Sequence, residues 1–169
     1  MKITRIVVLL GFFAIPVFAQ DPSASVPSRG GCGANESQFS VATNKKEHPV
    51  AHAEAGKATV YVIEDIVNGP TMRVGLDGAW VGANKDRSYF FFSVDPGEHQ
   101  LCTNWQSGVF KKTAERVGSA ASLTAEAGKA YYFRVRDDER AGVRLEQVEP
   151  AEGQFLVSSS WFSTSRPKK

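Results

Sequence analysis

The sequence is short of the residues and motifs on which most enzymes depend. Its 169 residues include only two cysteines and three histidines, so the chain can close one internal disulfide and offers few imidazole ligands to a metal. It has no Gly-x-Ser-x-Gly motif, and the glycine-rich stretch at residues 29–33 lacks the preceding strand and following helix of a phosphate-binding loop. We therefore expect no enzymatic activity and no cofactor.

The sequence also lacks a charge excess that would favour nucleic acid or a membrane surface. Lys2 and Arg5 are two of its 20 basic residues, so a chain cleaved after residue 19 keeps 18 basic and 18 acidic side chains. Such a balance gives no bulk attraction to polyanions. The length suits one globular domain with its own core.

The N-terminal segment is typical of a secretory signal peptide. Basic Lys2 and Arg5 precede an apolar run at residues 6–15, and Val17-Phe18-Ala19 then offers small or aliphatic residues before a cleavage point. The apolar run is shorter than the ~20 residues of a membrane span, and no later stretch approaches one. We predict cleavage after Ala19 and an exported bacterial protein, periplasmic or secreted; a retained N-terminal anchor is the alternative.

Cys32 and Cys102 both belong to the predicted mature chain. In an oxidising compartment a disulfide is the default for such a pair, and closing so long a loop would stabilise the fold by about 4 kcal/mol. Free thiols or a metal site with the histidines are the alternatives. His48 and His52 have the spacing of two ligands on one helical face, but Pro49 between them argues against that helix. We predict the disulfide and no metal.

From residue 56 onward, short β-strands alternate with turn signals. Residues 58–64 are β-branched and aromatic, which is typical of a buried strand, and Asp77-Gly78 predicts a type I′ hairpin. Residues 88–94 carry aromatic side chains on both faces, which predicts a central strand. In the strand at residues 129–136 we expect Tyr131, Phe133 and Val135 to point inward, and Tyr132, Arg134 and Arg136 to lie on a solvated face.

These patterns predict a mainly β fold, an antiparallel β-sandwich of about seven to eight strands with one short C-terminal helix. The helix is expected at residues 149–158, started by Pro150, with Phe155 and Leu156 packing back. The predicted organisation is a signal peptide at 1–19, a flexible lead-in arm at 20–55, the sandwich domain at 56–158 and a Ser-rich basic tail at 159–169. Within the arm, residues 38–41 are a candidate short strand.

Several motifs resemble a bacterial secreted or envelope family of unknown function, DUF2846. The similarity covers about residues 55–158 and depends on Asp77-Gly78, on Pro96-Gly97-Glu98-His99 and on Gly128-Lys129-Ala130-Tyr131-Tyr132. The turn at Pro96 is also loosely similar to small β-sandwich repeats with a Pro-Glu-Gly-Ala motif. The resemblance implies a small secreted or lipid-anchored β protein without an assigned reaction. Cys32 lies well past the apolar run, so this chain lacks the lipidation cysteine of the anchored members.

The predicted function is that of a non-enzymatic structural or interaction module in the cell envelope, with an unknown envelope protein or a glycan as its partner. The alternative is a module that binds a glycan or a peptide through an exposed aromatic face or an open sheet edge. Its candidate ligand-binding residues are Trp80, Trp105 and Tyr132, because the tryptophans and tyrosines exceed the evident needs of a small core. A metal-binding protein is the weakest alternative.

Overall fold

The structure is a computed structural model that describes Cys32 and residues 37–52, 54–106, 118–140 and 142–168. The predicted signal peptide lies outside these residues. The described part contains ten strands and one helix, and no helix in it is long and apolar enough to cross a bilayer. In chain order the elements are β1 (Phe39–Asn44), β2 (Ala58–Glu64), β3 (Met72–Leu76), β4 (Ala79–Asn84), β5 (Ser88–Val94), β6 (Gly97–Trp105), β7 (Gly118–Ala125), β8 (Ala130–Asp138), β9 (Gly142–Val148), α1 (Pro150–Ser159) and β10 (Trp161–Pro167).

The strands form two sheets. The larger sheet has the order β1-β10-β5-β2-β8-β9, and the smaller has the order β4-β3-β6-β7. Two neighbouring pairs in the larger sheet, β10 with β5 and β2 with β8, run parallel, and the other pairs are antiparallel. The mainly β class with one helix is confirmed. The strand count exceeds the prediction, and the larger sheet is mixed rather than purely antiparallel.

One apolar core joins the two sheets. Strand β2 lies centrally in the larger sheet and is buried at every residue, as its β-branched sequence predicts. Its inward side chains meet those of the smaller sheet, so that each sheet covers the apolar face of the other. The main contributors to this core are Val60, Val62, Phe90, Phe133 and Val135 from the larger sheet, and Met72, Val74, Leu101 and Leu123 from the smaller.

A second apolar cluster covers the outer face of the larger sheet. It joins Tyr61, Tyr89 and Tyr132 to Leu156 and Val157 of α1. The solvated face expected for β8 is therefore wrong at Tyr132, which is only 7% exposed. Leu156 packs back as predicted.

Phe155 does not pack back as predicted, since its side chain is 68% exposed. The reason is helical geometry: Gly153, Leu156 and Val157 share the buried face of α1, and a turn of 100° per residue puts Phe155 on the opposite side.

The predicted flexible arm and the predicted Ser-rich basic tail each contain a strand. The expected tail contains β10, and the expected lead-in arm contains β1, which is longer than the candidate strand at 38–41. These two strands pair with each other along six residues, and β10 also pairs in parallel with β5. Pairing with β1 along its length and with β5 at Trp161 and Phe162 holds β10, so its serine-rich sequence needs little apolar alternation. The sheet layers therefore extend beyond residues 56–158.

The predicted turn and disulfide are both present. Asp77 and Gly78 have φ values of 49° and 82°, the two positive angles that a type I′ turn requires. Cys32 and Cys102 are disulfide-bonded with their Cα atoms 5.5 Å apart. The bridge lies against Gly75, where a Cβ atom would overlap with the Cys32 carbonyl and the Cys102 sulfur. An extracytoplasmic, oxidising location agrees with this disulfide.

Candidate functional site

The three predicted ligand-binding residues lie on three different parts of the molecule. Trp80 is half-buried on the outer side of the smaller sheet, where the Arg73 guanidinium lies 4.5 Å from its ring centroid. Trp105 is half-buried and packs against the core between the sheets. Tyr132 lies beneath α1 on the outer face of the larger sheet. The structure does not bring these side chains into one site.

Arg73 helps to attach the N-terminal arm, and its guanidinium lies over the Trp80 ring. Arg73 donates hydrogen bonds from its guanidinium to the Ser37 carbonyl, at 3.1 Å, and to Asn104 Oδ1, at 2.6 Å. Cys32 is bonded to Cys102 on the same face. The arm is thus held at two points to the outer side of the smaller sheet, and Arg73 makes one of these two contacts.

The outer aromatic face of the larger sheet is mostly covered. Tyr61 stacks on Tyr132 with ring centroids 4.9 Å apart, and Gly153 of α1 lies directly on the Tyr132 ring. The hydroxyl of Tyr61 accepts a hydrogen bond from the Ala51 amide, so the preceding segment covers this ring. Two rings, Phe91 and Phe162, remain half-exposed at 5.8 Å from each other.

His99 has both ring nitrogens engaged in local structure. Nδ1 lies 2.7 Å from Asp77 Oδ2, and Nε2 lies 2.8 Å from the Asp95 carbonyl oxygen. The hydrogen bond to Asp77 is the main reason that the pKa of His99 is raised. Asp77 also accepts a hydrogen bond from the Gln100 amide, so these groups tie the hairpin turn to the start of β6. Among the described residues, no cluster of three or more His, Cys, Asp or Glu side chains is placed to hold a metal.

Glu64 is an ionisable group inside the core. It follows Val60 and Val62 on the inward face of β2, is fully buried, and neither carboxylate oxygen has a hydrogen-bond partner among the described residues. Gly69 lies so close that a Cβ atom there would overlap with Glu64 Oε1. Asn84, also fully buried, donates from Nδ2 to the carbonyls of Val62 and Ser88, while its own Oδ1 has no partner in the described chain.

The surroundings of Glu64 favour its neutral form. Burial is the main cause that raises the pKa of Glu64 from its ordinary value of 4.5 to about 8. The backbone amide of Asp86 lies near enough to oppose this rise, although it forms no hydrogen bond of normal geometry with Glu64, and the negative charges of Asp86 and Asp137 add to the rise. A neutral carboxylic acid costs far less to bury than a carboxylate, so the core accommodates this residue as a protonated acid at neutral pH.

At two sheet edges, serine side chains form hydrogen bonds with backbone groups of the edge strand that face away from the neighbouring strand. At the edge of β4, the Ala83 amide donates to Ser165 Oγ, and Ser163 Oγ donates to the Ala83 carbonyl. At the edge of β9, the Leu145 amide donates to Ser119 Oγ. These serines come from the opposing sheet in each case, and they occupy backbone groups that would otherwise face another strand.

Among the described residues, the edge of β1 is covered at its start. Gln106 accepts a hydrogen bond from the Phe39 amide at 2.6 Å and donates one to the Phe39 carbonyl at 2.8 Å, so its carboxamide mimics the peptide group of a neighbouring strand. The amide and carbonyl of Phe39 therefore point away from β10. In an antiparallel ladder the backbone groups of alternate residues point to the same side, so those of Val41 and Thr43 also point away from β10. In the part of the chain that the structure describes, the backbone groups of these two residues have no partner on that side.

Sequence reasoning missed both the Glu64 environment and the open part of β1. A signal for Glu64 was present, because an acidic residue continues the inward alternation of Val60 and Val62. No such signal marked β1, since strand order and edge coverage depend on contacts between residues far apart in the chain.

Comparisons with known proteins identify no family for this chain. No protein-family model matches it, and no curated protein matches it. The chain is similar to a protein from Eubacterium rectale whose structure was determined by NMR, with a TM-score of 0.39 and 19% identity over 59% of this chain and 96% of that chain. A likeness at that level carries no argument about function, and the resemblance to DUF2846 stays a prediction.

Proposed function

We propose that the chain is an exported, non-enzymatic β-sandwich module that binds a partner protein of the bacterial cell envelope by accepting an extended segment at the edge of β1. The observation that carries this proposal is the outer backbone of Val41 and Thr43, for which the described residues supply no hydrogen-bond partner. An extended peptide adds to such an edge through main-chain hydrogen bonds, a recurring mode of peptide recognition.

The surroundings of β1 support its use as a docking edge. Gln106 closes the edge at Phe39, so an added strand has a defined end beyond which it cannot pair. The strand itself is rigidly held, because it pairs with β10 from Phe39 to Asn44. A preformed strand loses little conformational entropy when a partner binds.

Other features support export and a non-catalytic role. The disulfide between Cys32 and Cys102 suits an oxidising compartment. Both nitrogens of His99 are engaged in a turn, which favours a structural over a catalytic role for this residue.

A second candidate function, glycan binding through aromatic side chains, has one specific observation in its favour. Phe91 and Phe162 are adjacent and half-exposed on the outer face of the larger sheet. Stacking of a sugar ring on such side chains would replace the strand addition as the binding mode.

Site-directed photo-crosslinking in the native envelope tests the proposal. A photoreactive residue replaces Ala42, whose exposed side chain lies between the two open backbone positions, and a matched one replaces the exposed Glu126 in the turn before β8. We expect polypeptide adducts from position 42 only, and their loss when Thr43→Pro removes an outward amide. Equal adducts from both positions, adducts that survive Thr43→Pro, or adducts to glycan alone would overturn the proposal.

A further inference from the structure

We propose that the segment accepted by β1 is acidic, with glutamate or aspartate at the positions that alternate towards the outer face of the larger sheet. This inference rests on the proposed strand addition and goes beyond it by naming the chemistry of the partner. It is argued from the charges around β1 and from the size of the side chains on its outer face.

Basic side chains lie at both ends of β1. Lys45 and Lys46 follow the strand directly, and Arg166 lies opposite Ser40 in the neighbouring β10. Lys168 is held beside the start of β1 because its amide donates to the Gln38 carbonyl. All four side chains are exposed, and within the described chain none of them forms an ion pair.

A further cation joins the group at the end of β1. Lys45 Nζ lies 3.8 Å from the centroid of the Trp161 ring, and the Trp161 amide donates to the Arg87 carbonyl. This hydrogen bond places the backbone of the exposed Arg87 beside that of Trp161. Glu47, which follows Lys46, is an exposed acidic neighbour of these cations. Asp86, which precedes Arg87, accepts a hydrogen bond from the Asn68 amide through a carboxylate oxygen.

The cations on the far side of the larger sheet are arranged differently. Arg134 pairs with Asp65 and Glu152, Arg136 pairs with Glu146, and Arg144 pairs with Asp138. The three arginines of β8 and β9 are thus ion-paired within the fold, whereas the cations around β1 form no ion pair among the described residues. This contrast points to an anionic partner at β1.

The outer side chains of β1 leave room for acidic residues. Ser40 and Ala42 are small and exposed, and they share the outer face of the sheet with Arg166. An added strand would lie on the far side of these residues from β10, and a glutamate on it could reach Arg166 across Ser40. Opposite charges on neighbouring strands stabilise their pairing.

Backbone geometry distinguishes a peptide from an anionic glycan. The outward amides and carbonyls of Val41 and Thr43 alternate donor and acceptor at the spacing of a second strand. An anionic polysaccharide matches the positive charge but not this alternation. The observations therefore favour a polypeptide, and glycan binding is an outcome of the test.

Calorimetric titration of the oxidised protein with two short peptides tests the inference. One probe alternates glutamate with valine, and the matched probe alternates lysine with valine. We expect the acidic probe to bind at least about tenfold more tightly, with an affinity that falls as salt is added. The variant Lys46→Glu with Arg166→Glu should weaken the acidic probe about tenfold, whereas the control Lys129→Glu with Arg140→Glu, far from β1, should leave it unchanged.

Two further measurements separate the inference from the proposed function. Methylation of alternate amides in the acidic probe should abolish binding, and Val41→Pro should do the same while the midpoint of thermal unfolding is retained. If both peptides bind equally, and amide methylation and Val41→Pro each abolish binding, strand addition is supported and the acidic preference is overturned. If neither peptide binds, or if amide methylation and Val41→Pro both leave binding unchanged, the proposed function fails as well. Binding of polyglutamate and an acidic polysaccharide with equal affinity would overturn the inference in favour of charge alone.

Discussion

At the scale of single residues, Glu64 is the least ordinary part of the core. It occupies an inward position of β2 that a valine or isoleucine would fill, and Gly69 is tightly packed against its carboxyl group. An ionised carboxylate without a hydrogen-bond partner would be very costly there, so the folded state keeps the proton. The stability of the fold is therefore linked to pH through this group.

We expect Glu64→Gln to remove a pH-dependent loss of stability. The unfolded chain releases this proton near pH 4.5 and the folded chain near pH 8, so the free energy of unfolding falls as pH rises between these values, by up to about 5 kcal/mol. Glutamine cannot ionise, and urea unfolding across this range should show a flatter profile for the variant.

The control for this experiment is Glu98→Gln, which replaces an exposed carboxyl group. The raised pKa of His99 also removes stability as pH rises through it, but that contribution is common to all three proteins and cancels in their differences. Parallel profiles for Glu64→Gln and the parent protein would show that Glu64 does not stay protonated in the folded state.

At the scale of elements, α1 is attached to the larger sheet by the apolar packing of Leu156 and Val157, by a close contact at Gly153 and by an ion network. Gly153 lies on the ring of Tyr132, and Arg134 of β8 binds both Glu152 of α1 and Asp65. The helix can approach β8 this closely only because Gly153 has no side chain. Its position determines how much of the outer aromatic face is covered.

We expect Gly153→Ala to destabilise the protein by about 1–3 kcal/mol, because the new Cβ would overlap with the Tyr132 ring. The sign is informative, since glycine to alanine in an unstrained helix is stabilising by up to about 1 kcal/mol. Urea unfolding with Ser158→Ala as control measures the effect, since Ser158 is exposed on the same helix and its hydroxyl donates to the Phe155 carbonyl within that helix. A stabilised Gly153→Ala variant would show that α1 is not held this closely.

Elements with strong local patterns could be predicted from the sequence, and those held by distant partners could not. The aromatic alternation of β5 correctly indicated a central strand, and Asp77-Gly78 correctly indicated a hairpin turn. By contrast, β10 has the sequence Trp161-Phe162-Ser163-Thr164-Ser165-Arg166-Pro167, with no apolar alternation beyond its start. Its order comes from pairing with β1 and β5, which lie far away in the chain.

The candidate site was less predictable than the fold. Trp80, Trp105 and Tyr132 were predicted as ligand-binding residues, yet Trp80 and Trp105 are half-buried on separate surfaces and Tyr132 lies on a third. Composition shows how many aromatic side chains there are, but only the register of the sheets shows which of them share a face.

At the scale of the whole molecule, the disulfide attaches the N-terminal arm to the smaller sheet while β1 joins the larger one. The same short segment therefore contacts both layers. Cys32 is bonded to Cys102, the Ser37 carbonyl accepts a hydrogen bond from Arg73, and the Phe39 amide donates one to Gln106. Loss of the bridge should affect the edge of β1 as well as global stability.

We expect Cys32→Ser with Cys102→Ser to lower the free energy of unfolding by about 4 kcal/mol, the value for a cross-link between residues 70 apart. Thermal or urea unfolding of the oxidised parent, the reduced parent and the double variant measures this. The reduced parent and the variant should agree with each other. An unfolding free energy equal to that of the oxidised parent would show that the bridge contributes nothing to the fold.

Hydrogen–deuterium exchange at single amides of β1 tests strand addition most directly. In the free protein, the outward amides of Val41 and Thr43 should exchange quickly, while those of Ser40 and Ala42, which face β10, should be protected. Saturation with the acidic peptide should slow exchange at Val41 and Thr43 and leave Ser40 and Ala42 as they were. Unchanged exchange at Val41 and Thr43 in the bound state, with protection instead around Phe91 and Phe162, would contradict binding at the edge of β1.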